Sequence, residues 1–365
     1  MSIGKLIVQD LRNIENISIE LHSDLNFIIG DNGSGKSSLL EAIFYLGHGK
    51  SFRSSNVVNL LQHHKHSFTV SAKTNKDCQM GVRKIFNGAT ATNTEIRING
   101  EKQNKFSVLA KNIAVQVITP ESFKIFFGGP KQRRRFIDLG LFHVKHSFSD
   151  HWKEFSRILK QRNACLRSKT TGSTLNYWTD VFADSSQVIA DLRSEYVKEL
   201  TKELSFWLEI MLPSVSKEIV IQYLQGWNSK KNLLDVLQQY HDKELANGYS
   251  LFGAQKFDVR FLLNGASIDN QLSRGQQKLF LLALTFAQAK LIERVNLVKP
   301  ILLIDDVGAE LDIHSRALLN NAIAAIECQV IVTAIDKAAV EQLVPQKENY
   351  KMFHVKHGKL SVMSE

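Results

Sequence analysis

Gly30 is followed after four residues by Gly35, Lys36 and Ser37, a spacing that fits G-x-x-x-x-G-K-[ST]. The chemistry of such a loop is the capture of a nucleoside triphosphate. Its backbone N–H groups turn inward onto the anion, the lysine reaches the outer phosphates, and the serine hydroxyl ligates Mg2+. Gly30, Asp31, Asn32, Gly33, Ser34, Gly35, Lys36, Ser37 and Ser38 are therefore read as the phosphate cradle for ATP, with Gly33 and Gly35 allowing the backbone to wrap closely. A glycine-rich turn that happens to precede a helix is the competing reading. The context argues against it: the apolar run at residues 25–29 (LNFII) is a buried strand that feeds the loop, and the loop opens a helix.

A second group of residues lies far downstream. Residues 301–304 are apolar and end in Asp305-Asp306, the pattern of a buried strand that delivers carboxylates at its C-terminal end. Asp305 is assigned to Mg2+, directly or through water, and Asp306 to orienting the water that attacks ATP; with Lys36 they form the catalytic set. The interval between Lys36 and Asp305 exceeds what a small P-loop kinase needs for its whole fold. Another domain must therefore be inserted between the two motifs. Within that interval Ser273, Arg274, Gly275 and Gln276, in "LSRGQ", match the LSxGQ signature of ABC-type ATPases, and a helix follows. Serine and glycine at a helix N-terminus offer a hydroxyl and N–H groups to an anion. In ABC-type ATPases that anion is the γ-phosphate bound to the other subunit, so the resemblance implies a homodimer closed on ATP. Residues 308–312 (GAELD), with Glu310, Leu311 and Asp312, resemble a D-loop.

These motifs need elements to hold them. The first hundred residues alternate short apolar runs with turns, and Asn99-Gly100 is a strong hairpin signal. The reading is that antiparallel strands flank the P-loop strand. After Gly128-Gly129-Pro130 the period becomes helical, with Pro130 suited to a first helical turn. One stripe runs through Trp152, Phe155, Leu159 and Leu166, and another through Trp178, Phe182, Ile189, Leu192, Tyr196, Leu200, Leu204, Trp207 and Met211, ending at Pro213. A helix over residues 174–212 would run roughly 60 Å. These aromatics read as a helical core in preference to a stacking platform for nucleic acid. Alternation returns near Phe257 in FDVRFLLNG. The fold class is α/β: an ABC-type ATPase head with a mixed sheet around a P-loop, plus an inserted, mainly helical second domain. The boundaries are 1–119 for the first half of the ATPase domain, 120–250 for the insertion, and 251–365 for the second half.

The chain has 365 residues and a formal net charge of +10, which favours an anionic partner such as nucleic acid or a membrane surface, with a solvated basic surface that has no partner as the alternative. Its three cysteines stand far apart without CxxC or histidine spacing, so neither a zinc site nor a disulfide framework is indicated. The start of the chain has no signal-peptide pattern, and the longest apolar helix candidate, residues 279–292, is too short to span a bilayer. A cytoplasmic protein without a membrane partner is the expectation.

The sequence resembles the RecF family of DNA replication and repair proteins, relatives of the SMC-type ABC ATPases, over nearly its whole length. The likeness rests on "LRNIENISIEL", the P-loop, "GKSFR" at 49–53, "GGPKQRRRFIDL" at 128–139, "LSRGQQK" at 272–278 and "LLIDDVGAELD" at 302–312. It implies ATP-dependent dimerisation on double-stranded DNA and on gapped or junction DNA, without sequence specificity. It also implies slow, DNA-stimulated ATP hydrolysis and a role with RecR and RecO in placing the RecA recombinase at single-strand gaps. Arg12 and Asn13 resemble nucleotide-contacting positions of SMC-like heads. Arg53 is likewise nucleotide-proximal by likeness, with a plain surface arginine as the alternative.

The chain departs from the family pattern in two places. Where the family shows G-P-H-R-D-D, this chain has Gly253, Ala254, Gln255, Lys256, Phe257 and Asp258. Where ABC transporters carry a switch histidine, it has Thr333, whose hydroxyl cannot take a proton as imidazole does. A transporter's nucleotide-binding subunit is the alternative function, and the missing histidine speaks against it. Arg133, Arg134 and Arg135 fan over about 200° of a helix and sit in a first turn where the macrodipole disfavours cations. Internal carboxylates, a phosphate of DNA or nucleotide, and plain solvation all remain open as their counterpart.

Overall fold

The computed structural model describes residues 2–88, 90–296, 299–306, 311–345 and 349–363. The chain divides into two compact units: Met1–Lys124 with Trp207–Pro213 and Ser273–Glu365, and Ile125–Phe206 with Ser214–Leu272.

The first unit holds two six-stranded sheets. One is antiparallel throughout, in the order Ile14–Glu20, Ile3–Leu11, Ser67–Thr74, Gln79–Asn87, Thr90–Ile98, Glu101–Gln103. Its last hairpin turns at Asn99 and Gly100, both with positive φ (48° and 85°), as the Asn-Gly dipeptide predicts. The other sheet runs Lys359–Val362, Tyr350–Lys356, Leu25–Ile29, Gln329–Ala334, Ile301–Ile304, Val115–Ile118. All its neighbours are parallel except the hairpin at its Lys359–Val362 edge. The mixed sheet around the P-loop is thus as expected, but the strands beside the loop are not. Leu25–Ile29 pairs in parallel on both sides, with strands that lie more than 300 residues later in the sequence. The early antiparallel strands pair among themselves in the other sheet. The burial of Leu25–Ile29 carries the physical reason: every residue is buried, the mark of a central parallel strand covered on both faces.

One core joins the two sheets, with Leu39, Leu40 and Ile43 of helix Lys36–His48 packed among Val8, Val70 and Val82 of the antiparallel sheet and Ile28, Leu303 and Ile331 of the parallel one. Each such side chain contributes about 1.5–3 kcal/mol. Gln329, fully buried, ties the sheets through polar contacts: Nε2 donates to the Ile3 and His22 carbonyls, and Oε1 accepts the Ile3 N–H.

The second unit is built on helices Pro130–Val144, Phe148–Arg167 and most of Ser173–Met211, a continuous helix of 39 residues. Pro130 opens the first of these, where its missing N–H costs nothing. The core of Phe148–Arg167 is Phe155, Ile158, Arg162 and Leu166; Trp152, assigned to that stripe from its spacing, is 43% exposed. Position 152 lies three residues before Phe155, on the margin of the face, and a large ring there turns to solvent. Helix Ser173–Met211 buries Leu175, Phe182, Ile189, Tyr196, Leu200 and Leu204, while its last turn belongs to the first unit, where Trp207 meets Phe286 edge-on at 5.2 Å.

The unit also has a sheet of its own, Ala266–Ser267, Asp258–Leu263, Ile219–Leu224. The alternating run after Phe257 is therefore a strand, as its pattern says, but it pairs with Ile219–Leu224 of the insertion, and the return to the first unit comes at Ser273. Alternation identifies a half-buried strand; it carries no information about the partner.

Candidate functional site

The phosphate loop runs from strand Leu25–Ile29 to helix Lys36–His48. Gly30 cannot be another residue: a Cβ there would lie 2.2 Å from the Val355 carbonyl oxygen and 2.9 Å from Ser34 Oγ. Gly35 has φ of 121°, and its position is closed by the Asn13 amide. Asp31, Asn32 and Gly33 form the exposed side of the loop, whereas Ser34, Gly35, Lys36 and Ser38 are buried. Lys36 Nζ donates to the carbonyls of Gly30 at 2.6 Å and Asp31 at 3.0 Å. Burial lowers its pKa, and the charges of Asp306, Asp305 and Asp31 act in the opposite sense. A buried ammonium held by two neutral carbonyls and facing carboxylates is set to exchange those carbonyls for a triphosphate.

Strand Ile301–Ile304 brings Asp305 to the same place, so the two motifs separated by the insertion do meet. Ser37 Oγ donates to Asp305 Oδ1 at 3.1 Å, and Thr333 Oγ1 donates to the same oxygen at 2.7 Å. The Thr333 hydroxyl also accepts the Asp306 N–H at 2.9 Å, so it ties the side chain of Asp305 to the backbone of Asp306. Burial raises the Asp305 pKa, opposed by the bonds from Thr333 and Ser37 and by the charge of Arg53. Asp306 adopts the left-handed conformation (φ 53°), and its Oδ1 is buried without a hydrogen-bond partner among the described residues. Ser34 Oγ is a second such atom. Two unanswered polar atoms beside this glycine loop fit a triphosphate with its metal, for which Ser37 and Asp305 could provide the hard oxygen ligands that Mg2+ takes.

Asn13, in the turn after strand Ile3–Leu11, donates from Nδ2 to the Gly33 carbonyl at 3.0 Å and accepts from Ser38 Oγ at 2.9 Å, bracketing the loop. Arg12 instead forms a bidentate pair with Glu41 at 2.8 and 2.9 Å. Arg53 is exposed, with its charge bearing on Asp305.

The signature turn is preformed. Gln276 N–H donates to Ser273 Oγ at 3.3 Å and Ser273 N–H donates to Gln276 Oε1 at 2.9 Å, a reciprocal capping box at the start of helix Arg274–Asn296. Ser273 and Arg274 are exposed, and a Cβ on Gly275 would meet nothing within 4 Å. Glu310 of the D-loop-like segment lies outside the described residues. Leu311 is buried, and Asp312 caps helix Ile313–Ala325 by accepting the Ser315 N–H at 2.7 Å, which holds its carboxyl below the usual range.

The arginine run is also placed. Arg133 pairs in bidentate fashion with Asp258 at 3.0 and 2.9 Å, Arg134 Nη1 donates to the Phe257 carbonyl at 3.2 Å, and Arg135 is exposed. The altered 253–258 loop is therefore itself the counterpart of two of these arginines.

One part of the site has no sequence motif. The hairpin of strands Tyr350–Lys356 and Lys359–Val362 braces the phosphate loop: its Gly358 N–H donates to the Ser34 carbonyl at 2.8 Å. Gly358 has φ of 72°, and a Cβ there would lie 2.2 Å from the Asn13 carbonyl oxygen. The signal was the alternation of FHVKHGKLSV about a His-Gly turn.

The profile described as RecF/RecN/SMC N terminal domain matches residues 2–361. A DNA replication and repair protein RecF from Colwellia psychrerythraea is 55% identical over 98% of this chain and 97% of its own, and one from Shewanella sediminis is 38% identical over the whole of both. Among solved structures, the recombination mediator protein RecF with ATP in the RecFOR pathway superposes with a TM-score of 0.84 at 24% identity, covering 100% of this chain and 98% of that one. An Smc head domain from Pyrococcus furiosus, bound to the C-terminal domain of ScpA, gives 0.56 at 15% identity, covering 99% and 96%. With the profile matched over nearly its whole length and these relatives covered end to end, the chain belongs to the RecF family of DNA replication and repair proteins.

Proposed function

We propose that this chain is an ATPase that closes ATP between two copies of itself on DNA, in the recombinational repair to which its relatives are assigned. In this reading Lys36 and the loop N–H groups of residues 33–37 hold the β- and γ-phosphates, and Asp306 orients the attacking water. Ser37 and Asp305 hold Mg2+, which when bound draws charge from the phosphate oxygens. Thr333 favours the ionised form of Asp305 against the effect of burial and aims it by donating to it, but it has no basic nitrogen to take a proton. The chain's own groups thus favour slow turnover, suited to a clamp that must stay closed on its target.

The observation that carries the reading is the signature turn. Its cap is complete, its serine is exposed, and nothing among the described residues explains Gly275, since a Cβ there would meet nothing within 4 Å. An exposed helix N-terminus that carries a glycine, unconstrained by any described neighbour, suits the γ-phosphate held by a partner copy. The net charge of +10 supports a DNA backbone as the surface on which the dimer closes, and RecR and RecO as assembly partners follow from the family likeness.

Light scattering without nucleotide, with ADP and with ATP, each with and without duplex DNA, tests this. The chain should be a dimer only with ATP, and Ser273→Arg should bind ATP with unchanged affinity while staying monomeric. A Ser273→Arg variant that dimerised like the parent would remove the sandwich.

A further inference from the structure

The Ser34 carbonyl, in the middle of the phosphate loop, accepts the N–H of Gly358 at the tip of the Tyr350–Lys356 and Lys359–Val362 hairpin, at 2.8 Å. A trans peptide is planar, with its C=O and N–H pointing in opposite directions, and no peptide bond among the described residues is cis. Anchoring the Ser34 carbonyl to the hairpin therefore turns the Gly35 N–H, the other end of the same peptide unit, away from the hairpin. The preceding N–H, that of Ser34, is already spent on the Asp31 carbonyl at 3.1 Å. The Gly35 N–H has no hydrogen-bond partner among the described residues, and it directly precedes Lys36.

The hairpin can hold this setting because it is itself fixed. Phe353 and Val355 are buried in the core that joins the two sheets, Leu360 packs against that core, and strand Tyr350–Lys356 runs parallel to Leu25–Ile29. Its tip has no slack: with φ of 72° and a Cβ position 2.2 Å from the Asn13 carbonyl oxygen, residue 358 has to be glycine. Asn13 Nδ2 donates to the Gly33 carbonyl at 3.0 Å, so two successive carbonyls of the loop are gripped.

We propose that Gly358 is a positioning residue for the nucleotide: by holding the Ser34 carbonyl outside the cradle, it keeps the Gly35 N–H directed at the outer phosphates. The inference rests on the ATP-binding reading above. Without the Gly358 N–H this peptide unit is free to rotate, and rotation exchanges a donor for a carbonyl oxygen that repels the phosphates. A hydrogen bond to a charged acceptor is the stronger kind, so its loss is measurable in affinity.

Titration with nucleotides of different phosphate number tests it. Gly358→Ala should bind ATP and ADP roughly tenfold more weakly. AMP, which has no outer phosphate and is measured by competition, should bind within about twofold of the parent. Leu360→Ala loosens the packing of the hairpin but leaves the Gly358 N–H in place, so it should lower the melting temperature while ATP affinity stays within about twofold. Unchanged ATP affinity in Gly358→Ala would overturn the proposal. An equal loss for AMP, or the same loss in Leu360→Ala, would overturn it as well, because the hairpin would then be a general support. Lys36→Ala run alongside separates the two levels of the argument: if it binds ATP as its parent does, the nucleotide reading itself fails. Should Gly358→Ala melt early, glycolate in place of Gly358, introduced by nonsense suppression, exchanges the N–H for an ester oxygen without adding a Cβ, and the same criteria apply.

Discussion

The arginines of the inserted unit and the cations of the phosphate site are both drawn toward carboxylates, but on opposite terms. In the insertion Arg162 is buried with every donor group assigned: Nη2 to Glu244, Nη1 to Ser250, and Nε to Thr179. The other oxygen of Glu244 accepts the Leu251 N–H. Arg193 is as fully committed, with two bonds to Asp138, one to the Ala254 carbonyl, and its guanidinium 3.7 Å over the Phe257 ring. Around the phosphate loop, by contrast, Lys36 rests on two neutral carbonyls, Arg53 points to solvent, and Asp306 keeps an unanswered buried oxygen. A charge whose partners are complete holds the fold; a buried or converging charge left short of partners marks where a ligand completes the set.

Arg162→Met is the severest challenge to that distinction. It leaves Glu244 buried and unpaired, so the inserted unit should lose about 3–5 kcal/mol, much of it regained in Arg162→Met/Glu244→Leu. Hydrogen exchange at the amides of helix Phe148–Arg167 reads this, and ATP affinity should not move. An unchanged exchange rate would mean that the pair is not structural.

His143 gives a smaller effect of the same kind. Burial, with the charge of nearby His146, lowers its pKa from the ordinary 6.5 to about 4. A depressed histidine stays neutral in the fold while the unfolded chain takes up the proton, so the loss begins as pH falls below 6.5 and is complete near 4. Across that window His143 costs the fold about 3 kcal/mol. The difference between the parent and His143→Leu in unfolding from pH 7 to pH 4 isolates it, and parallel curves would refute the shift.

The elements that carry motifs were legible because each is fixed by local chemistry. A glycine loop between an apolar strand and a helix, an Asp-Asp after a buried run, a serine three residues before a glutamine, and an Asn-Gly turn all stand where the residues put them. The 39-residue helix was legible from its period. What escaped notice depends on partners distant in sequence. Leu25–Ile29 pairs with strands that local reading could not bring to it, Asp258–Leu263 reads as a strand in either unit, and the Tyr350–Lys356 hairpin supports the phosphate loop through backbone atoms alone. Glu41 did leave a trace: an acidic residue in the midst of LLEAI has to be buried, and a buried acid has to be paired.

Lys36 lies at the other end of the comparison from Arg162, where the effect on the fold should be smallest and the effect on ligand greatest. Isothermal titration of ATP against the parent and Lys36→Ala, with thermal melts of both, tests the central claim directly. Affinity should fall on the order of 10²-fold, about 2.7 kcal/mol, while the melting temperature shifts by no more than about 2 °C. A Lys36→Ala protein that bound ATP as tightly as its parent, or that unfolded as Arg162→Met is expected to, would contradict the account: the lysine would then be one more committed structural charge.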